Sequence, residues 1–491
     1  MWGIILFLEL LYLKFKGSPL GRITDILTGW LSSLGSDAPD CYLVGGAVRD
    51  YLLGRPTKDI DIVSHDPKGL ASLIARERNA AVVAFREGTD KECFRVVDRD
   101  SPDVFVDIAP VRGTAISDDL LLRDFTINAM AIRLGRGVEP GEVIDPLNGA
   151  DDIKNHMIRA TGPETFLNDP LRIMRAFRFA AELDFTVEAS TLSAIGKTAT
   201  LIATVSSERI LVELLGIFNT KRASYFVKMM DELGVIDAVF PEAGPMKGCG
   251  QNSYHHLDVW DHSMMTMEYS EDIINNQLQK FFDPVHQSVA NNLNEGNRLP
   301  LLKLAALFHD VAKPQCRSND PAGSHLTFYG HAEKGAEIME EIASGLRMSN
   351  QDRDFLSAMI AEHMHLLSLS RPEVKTSTLM RWFRKLGDDI IALIILEMAD
   401  TMATLGPDSD AAEQEDFIEW SKKTVAAYYG KIKTQLGRQD LIRGKDLIAV
   451  GMSPGPHMGR VLKKVRQAQD AGEVKNRDEA IRLASGMMQK L

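Results

Sequence analysis

The chain has 491 residues and a formal net charge of −12, with 45% hydrophobic and 25% charged residues. That length allows about three to five domains, and the apolar content is typical of folded proteins rather than of intrinsically disordered ones. The acidic charge argues against a globally basic nucleic-acid binder, although it is compatible with a local basic face.

The first residues, Met1–Leu13, are strongly apolar. This run is shorter than the ~20 residues that cross a bilayer, and it lacks the basic start and the small-residue cleavage site of a signal peptide. A docked helix, a weak membrane anchor and an upstream choice of start codon stay open. We expect no stable membrane insertion and treat residues 1–36 as an N-terminal extension.

The cysteine pattern indicates the compartment. Cys41, Cys93, Cys249 and Cys316 form no C-x-x-C pair and are too few for a disulfide framework in a chain of this length. A reducing cytoplasm is the simplest inference.

Short β-rich runs alternate with helix between Cys41 and Asp152, and helices dominate afterwards. The predicted strands are Cys41–Val44, Asp59–Val63, Ala81–Phe85, Phe94–Val97 and Val104–Ile108. The first predicted helices are Ala47–Leu53, Leu171–Leu183, Ala189–Ala203 and Ser207–Phe218. Pro241–Cys249 is predicted to be a linker, and the histidine-rich stretch from Tyr254 to about Leu405 is predicted to be helical.

Two carboxylates lie two residues apart in the second strand. Asp59 and Asp61 should therefore project to one face, where their repulsion is relieved by cations. Oxygen ligands suit Mg²⁺, and paired metal ions can clamp the attacking and leaving oxygens of a phosphoryl displacement. Asp107, on a later strand, is the candidate third carboxylate.

A glycine pair, Gly45-Gly46, separates the first strand from the first helix. Backbone without side chains can approach a triphosphate closely, and the helix N-terminus offers free N–H groups. A Gly-Gly or D-x-D pattern alone is weak, but the order strand, Gly-Gly, helix and D-x-D strand is much more specific.

Several motifs follow in a fixed order along the chain. They are Arg123-Asp124-Phe-Thr-Ile-Asn128, Asp145-Pro-Leu-Asn-Gly149, Asp169-Pro-Leu-Arg172-Ile-Met-Arg175-Ala-Phe-Arg178, Ser207-Glu208-Arg209 and Gly444-Lys-Asp446. With the glycine pair and the D-x-D strand, they resemble the class II nucleotidyltransferases, which comprise bacterial tRNA CCA-adding enzymes, CC- and A-adding enzymes and poly(A) polymerases. The resemblance extends from about Asp40 to Ala484.

The resemblance implies roles for individual residues. Asp59, Asp61 and Asp107 would be catalytic, with Mg²⁺ on the first two, and Asp124 would lie near the ribose. Asp169 and Arg172 would form an amino-acid template for C or A, since a carboxylate accepts hydrogen bonds from exocyclic amines and a guanidinium donates them. If residues 169–172 are helical, the two side chains should lie one turn apart and face the same pocket. The remaining nucleotide-binding residues implied are Gly45, Gly46, Arg49, Arg123, Asn128, Arg175 and Arg178.

Two positions depart from the family pattern. Leu122 stands where a second arginine is common, and Asn168 stands where glutamate usually precedes the template aspartate. Both departures leave room for altered nucleotide specificity.

A second constellation is rich in histidine, and imidazole and carboxylate ligands in a helix bundle suit transition metals. Its order, H…HD…H…H…D, resembles the HD superfamily of metal-dependent phosphohydrolases. The implied ligands are His262, His309, Asp310 and Asp400, with His331 and His363 available for a second metal ion. Mn, Ni, Fe, Co or Zn would fit, and the implied activity is phosphodiester or phosphomonoester hydrolysis.

The tail from Lys431 onward carries 13 basic and six acidic residues, a net charge of +7. A solvated helical surface and a phosphate-contacting tail remain equal alternatives.

Together these features predict an α+β chain: an N-terminal mixed-sheet palm followed by all-α neck, HD and tail domains. The predicted bounds are 37–153 for the palm, 154–245 for the neck, 246–410 for the HD domain and 411–491 for the RNA-binding tail. The expected reaction is template-independent addition of C or A from CTP or ATP to the 3′ end of tRNA, recognised mostly through phosphates and shape.

Three alternatives compete with this reading. A poly(A) polymerase or an enzyme adding only CC or only A stays open within the class. A phosphohydrolase with a vestigial RNA-binding palm is the rival from another class. A scaffold with neither activity would leave two metal-ligand sets unexplained. The sequence does not indicate the oligomeric state.

Overall fold

A computed structural model of the chain describes residues 39–55, 57, 60–77, 79–85, 92–100, 102–103, 105–134, 143–319, 326–371 and 373–488. The predicted N-terminal extension and Asp59 lie outside the described residues. The chain divides into two compact units, 1–205 and 206–491, so the stretch predicted as a neck is divided between them.

The first unit is built on a seven-stranded mixed sheet with strand order β3-β4-β5-β2-β1-β6-β7. The strands are β1 (Cys41–Val44), β2 (Asp61–Ser64), β3 (Ala80–Phe85), β4 (Cys93–Asp98), β5 (Phe105–Pro110), β6 (Ala131–Leu134) and β7 (Val143–Ile144). Of the pairs, β2–β5 is parallel and the others are antiparallel. Alternating burial along β4 and β5 leaves one face open, because residues two apart share a side.

Helices cover the opposite face and extend the unit. They are α1 (Gly46–Leu53), α2 (Pro67–Glu77), α3 (Ile116–Leu121), α4 (Gly149–Lys154), α5 (Thr165–Asn168), α6 (Arg172–Leu183) and α7 (Ala189–Thr198). Helix α2 packs on β3, β4 and β5, where Leu70, Ala71 and Ile74 are buried. Two short strands, β8 (Met157–Ile158) and β9 (Thr186–Val187), form a separate parallel pair.

The second unit is helical. Its helices are α8 (Ser207–Phe218), α9 (Ala223–Glu232), α10 (Val235–Val239), α11 (Val259–Asp272), α12 (Leu278–Phe282), α13 (His286–Leu293), α14 (Arg298–Phe308), α15 (Lys313–Cys316), α16 (His331–Gly345), α17 (Asn350–Leu369), α18 (Thr376–Leu386), α19 (Ile390–Ala403), α20 (Ala411–Ala427), α21 (Lys433–Leu436), α22 (Gly444–Ala449), α23 (Pro456–Asp470) and α24 (Arg477–Met488). A two-stranded ribbon joins β10 (Ser318–Asn319) to β11 (Leu326–Thr327).

Two helices of this unit are apolar around most of their circumference, as expected for helices in the centre of a bundle. Almost every residue of α14 and α19 is buried, and both helices pack against α11 and α17. The basic tail folds around its own core, in which Leu447, Val461 and Ala480 are buried.

A buried ion pair joins three helices of the second unit. Lys303 in α14 donates to Glu271 in α11 at 2.9 Å and to the Thr220 carbonyl, and Glu271 also accepts from the Ser224 hydroxyl and N–H. The charges of Lys303 and Glu271 are therefore compensated inside the core, which burial requires.

Lys303→Met is expected to lower the free energy of unfolding of the second unit by about 3–5 kcal/mol, because Glu271 would stay buried without a cation. Lys303→Met with Glu271→Leu should recover most of that loss. Chemical denaturation followed by circular dichroism measures both. A double variant less stable than Lys303→Met would contradict this account of the pair.

The α+β prediction is confirmed, and the predicted elements lie within a few residues of the observed ones. The prediction of a linker at Pro241–Cys249 is wrong for its first part: residues Pro241–Met246 form a 3₁₀ helix with Ala243 and Met246 buried. Those apolar side chains pack into the core despite the Pro and Gly around them. None of the described helices is both long and apolar enough to cross a membrane.

Candidate active site and metal centre

The glycine turn after β1 adopts a conformation that few other residues tolerate. Gly45 has φ +71°, and a Cβ there would lie 2.9 Å from Arg123 Nη1 and 3.9 Å from Asp61 Oδ2. Gly46 begins α1. The turn thus brings bare backbone, a guanidinium and a carboxylate together, and a side chain at Gly45 would fill the space between them.

The predicted carboxylates Asp61 and Asp107 are neighbours in the sheet. Asp61 is exposed at the start of β2 and is directly in register with Asp107 of β5. The adjoining strand contributes Arg95, which donates to both Asp107 oxygens at 2.7 Å. The Asp61 carboxylate beside the glycine turn fits a Mg²⁺–triphosphate site, whereas both oxygens of Asp107, the predicted third carboxylate, accept from Arg95.

Arg123 is positioned by a buried carboxylate. Its Nε donates to Asp119 at 3.0 Å, and Asp119 also accepts from Arg112 at 2.8 Å. Burial opposes ionisation of Asp119, but the two guanidinium groups lower its pKa below the usual value. Asp119 therefore stays charged and holds Arg123 against the glycine turn.

Asp124 is buried within a second network of hydrogen bonds. It accepts from Arg175 at 2.7 and 2.9 Å and from the Asn128 amide at 3.1 Å. Asn128 in turn accepts from Arg49 at 2.9 Å. Burial raises the pKa of Asp124, yet Arg175 and the hydrogen bonds lower it overall. The structure brings together all four of these predicted residues.

The Phe179 ring of α6 lies beneath three of the predicted arginines. The guanidinium carbons of Arg178, Arg175 and Arg49 lie 4.3, 5.0 and 5.1 Å from its centroid. These are cation–π distances. Arg178 also donates to Glu182 at 2.8 Å.

Asp169 and Arg172 do not lie within one helix as expected, although a hydrogen bond from the Arg172 N–H to the Asp169 carbonyl at 3.0 Å keeps them one turn apart. Asp169 lies before α6 in an extended conformation, with φ −151° and ψ 100°, because Pro170 follows it and disfavours helical backbone there. Arg172 begins the helix and donates to the carbonyls of Leu122 and Arg123 at 2.9 and 3.1 Å. Arg172 is therefore the first residue of the helix, and Asp169 belongs to the turn that precedes it.

The histidine cluster of the second unit comes together as predicted. Its ligand atoms form two buried groups, His262–His309–Asp310 and Asp310–His331–His363, each with all atoms within 4.8 Å of one another. Asp400 lies 2.7 Å from His262 Nε2 and 3.5 Å from His309 Nε2. Asp310 is common to both groups.

Three of these imidazoles are oriented by backbone carbonyls. The Nδ1 atoms of His309, His331 and His363 lie 2.9, 2.8 and 2.6 Å from carbonyl oxygens three residues earlier, which directs each Nε2 inward. His309 Nε2 and Asp310 Oδ1 have no hydrogen-bond partner within the described part of the chain. Asp310 Oδ2 lies 3.1 Å from the same nitrogen, and a cluster of buried, oriented imidazole and carboxylate atoms fits a metal centre.

The electrostatics of this cluster favour a cation. Burial opposes a charge on His309, but Asp310 and Asp400 raise its pKa well above the usual value. Burial and the Asp400 charge raise the pKa of Glu397 beside them, while burial lowers the pKa of His363 to about 3. A metal ion would neutralise the acids, and the neutral imidazole is the form that binds metal.

A cavity of about 930 Å³ opens onto this centre. Asp310, His331 and Asp400 line it, together with Lys313 and the largely exposed Tyr329. This volume matches a site for a small molecule or a nucleotide-sized group.

Comparison with known protein families supports both centres. Residues 41–159 match the poly A polymerase head domain, 184–246 the RNA and SrmB-binding site of polymerase A, 259–405 the HD domain, and 410–484 domain 2 of tRNA nucleotidyltransferases. Nucleotidyltransferase and HD domains both generally use divalent metal ions.

Full-length relatives decide the family. The A-adding tRNA nucleotidyltransferase of Deinococcus radiodurans is 30% identical over 448 residues, which cover 90% of this chain and 94% of the relative. The chain belongs to the tRNA nucleotidyltransferase family. The CC-adding tRNA nucleotidyltransferase of Thermus thermophilus is also 30% identical, with 90% and 92% of the two chains covered.

The family fold is also seen in solved structures. The Thermotoga maritima CCA-adding enzyme, in a structure with tRNA, is 22% identical with a TM-score of 0.62, and the match covers 98% of this chain and 95% of that one.

Sequence reasoning missed two residues that shape the palm site, Arg95 and Asp119. Asp119 stands four residues before Arg123, a helical ion-pair spacing that could have indicated the contact. Arg95 carries no such local signal, because its partner Asp107 comes from another strand.

Proposed function

We propose that this chain adds C or A nucleotides from CTP or ATP to the 3′ end of tRNA and releases pyrophosphate. The observation that carries the proposal is the meeting of Asp61, Gly45 and Arg123 at one end of the sheet. Nucleotidyl transfer requires a carboxylate that binds the metal ion, bare backbone that binds the phosphates and a cation that stabilises the leaving group.

Each palm residue has a role in this reaction. Asp59 and Asp61 would hold Mg²⁺, which supplies charge neutralisation at the α-phosphate. Gly45, Gly46 and the N-terminus of α1 cradle the triphosphate, with Arg123 on its phosphates. Asp124 faces the ribose, held by its own hydrogen-bond network.

The arginines beneath the nucleotide have supporting roles. Arg49 and Arg175 fix Asn128 and Asp124, and Phe179 supports both guanidinium groups. Arg178 lies on the same ring, is paired with Glu182, and is proposed to bind the nucleotide with them.

We propose that the functional domains follow the predicted bounds, with the neck extending across the boundary between the two compact units. We assign the palm to 37–153, the neck to 154–245, the HD domain to 246–410 and an RNA-binding tail to 411–491. The net charge of +7 from Lys431 onward suits phosphate contacts in that tail. The scattered free cysteines suit a cytoplasmic protein.

The test is nucleotide addition to tRNA lacking its 3′ end, with CTP and ATP supplied separately and together. Addition of CC, of A or of CCA defines the specificity, and long A tracts would identify a poly(A) polymerase. Incorporation of no nucleotide under any of these conditions would overturn the proposal.

Asp169 and Arg172 are proposed to read the base. Asp169→Ala is expected to reduce the preference for CTP or ATP over UTP and GTP by roughly ten- to a hundredfold, the value of a paired base contact. The ratio of kcat/KM among the four nucleotides measures this. Lys154→Gln, an exposed change in the same unit, should leave the ratio unaltered, and an unaltered ratio for Asp169→Ala would remove it from the template.

We also propose that the HD centre hydrolyses phosphate esters with a transition metal, Mn, Ni, Fe, Co or Zn. The two ligand groups that share Asp310 favour this second activity, because paired metals suit phosphate hydrolysis. His262, His309, Asp310 and Asp400 would hold one ion, and His331 and His363 would complete a second position.

A further inference from the structure

Arg95 and Asp107 form a planar, two-bond ion pair on the open face of the palm sheet. Both bonds measure 2.7 Å, and each side chain keeps about a third of its surface exposed. Two parallel N–H···O bonds fix the guanidinium in both position and orientation. Arg95 is thus held at a defined place on this face, and 37% of its side-chain surface is exposed.

The register of the sheet places this pair beside the proposed catalytic carboxylate. Asp107 lies opposite Asp61 in the β2–β5 pair and opposite Arg95 in the β4–β5 pair. Residues in register project to the same face. Since neighbouring strands are about 4.8 Å apart, the Arg95 and Asp61 backbones lie roughly 10 Å apart on that face.

Asp61 consequently has two different flanks. On the β1 side lie Gly45 and Arg123, where the triphosphate is proposed to bind. On the β5 side lie Asp107 and Arg95. In phosphoryl transfer the attacking and leaving oxygens are roughly in line across the phosphorus. If pyrophosphate leaves toward Arg123, the attacking 3′-hydroxyl approaches from the flank that Arg95 occupies.

Aromatic rings accompany the guanidinium on this flank. Its central carbon lies 4.0 Å from the Phe105 ring centroid and 5.6 Å from that of Phe85, and Phe85 is 44% exposed. A cation that neutralises phosphate beside an exposed ring is the combination that binds single-stranded nucleic acid.

We propose that Arg95, positioned by Asp107, contacts a backbone phosphate at the 3′ end of the RNA that receives the nucleotide. The geometry assigns Asp107 to the anchoring of Arg95 rather than to the catalytic metal, because both of its oxygens accept from that guanidinium. This inference rests on the proposed nucleotide addition and concerns the RNA side of the same site.

The test is steady-state nucleotide addition by the full chain to tRNA lacking its 3′ end. Arg95→Gln is expected to raise KM for the RNA about tenfold, the loss of one charge-assisted hydrogen bond, with KM for the nucleotide and the Mg²⁺ requirement unchanged. The slope of log KM for RNA against log salt should flatten by about 0.7, the value for one phosphate of a single strand.

Three further variants separate positioning from metal binding. Arg95→Lys keeps the charge and should restore part of the affinity. Asp107→Asn should raise KM for the RNA as Arg95→Gln does, and the double variant should be no worse than either, since the residues act as one unit. Arg133→Gln, which breaks a comparable pair with Asp40 on the same sheet, is the matched control and should leave all parameters unchanged.

Several outcomes would overturn the inference. A higher Mg²⁺ requirement for Asp107→Asn alone would make Asp107 a metal ligand. A higher KM for the nucleotide, or no change in either KM, for Arg95→Gln would remove Arg95 from the RNA site. Failure of the proposed function is distinct, because unaltered protein would then add no nucleotide in the same assay.

Discussion

Asp61→Asn is expected to reduce nucleotide addition to tRNA by roughly a thousandfold or more, because it removes the charge that is proposed to hold Mg²⁺ against the triphosphate. Asp61 is exposed at the start of β2, and asparagine has nearly the same shape, so the fold should not change. Incorporation of labelled CTP or ATP measures the effect.

The control is Asp103→Asn, an exposed aspartate in the same unit, which should keep full activity. Equal thermal unfolding midpoints for the two variants would show that the loss is chemical rather than structural. If Asp61→Asn retained most of its activity, the palm site as described would not be where transfer occurs.

His309→Ala is expected to abolish metal-dependent phosphodiester hydrolysis while nucleotide addition continues at nearly its normal rate. His309 is a buried member of the first ligand group, with His262 and Asp310, and loss of a ligand reduces metal occupancy. Metal content per chain, and hydrolysis of bis(p-nitrophenyl) phosphate with each of Mn, Ni, Fe, Co and Zn, measure the effect.

His286→Ala is the matched control, because this histidine is partly exposed on α13. Chelation followed by addition of single metals should reproduce the His309→Ala phenotype reversibly. If His309→Ala instead abolished nucleotide addition while Asp61→Asn left it intact, the palm would be a vestigial module and the rival interpretation would be correct.

The candidate sites were predictable where their residues are close in sequence or share a motif. Three short motifs each indicate a type of binding site by themselves. They are the glycine pair, the D-x-D strand and the His-Asp doublet. Helix α8 was predicted with its observed bounds, Ser207–Phe218, because its apolar period is unbroken. The error at Asp169 came from treating the motif as continuous helix and neglecting the proline that follows.

The sequence alone determined the family, the α+β order and the residue types that gather at each centre, because motifs and hydrophobic periodicity are properties of neighbouring residues. Only the tertiary structure decided which of those residues meet. Strand register paired Asp107 with Arg95 beside Asp61, and helix packing made Asp310 common to two ligand groups. Such pairings depend on contacts between distant segments, which no local pattern encodes.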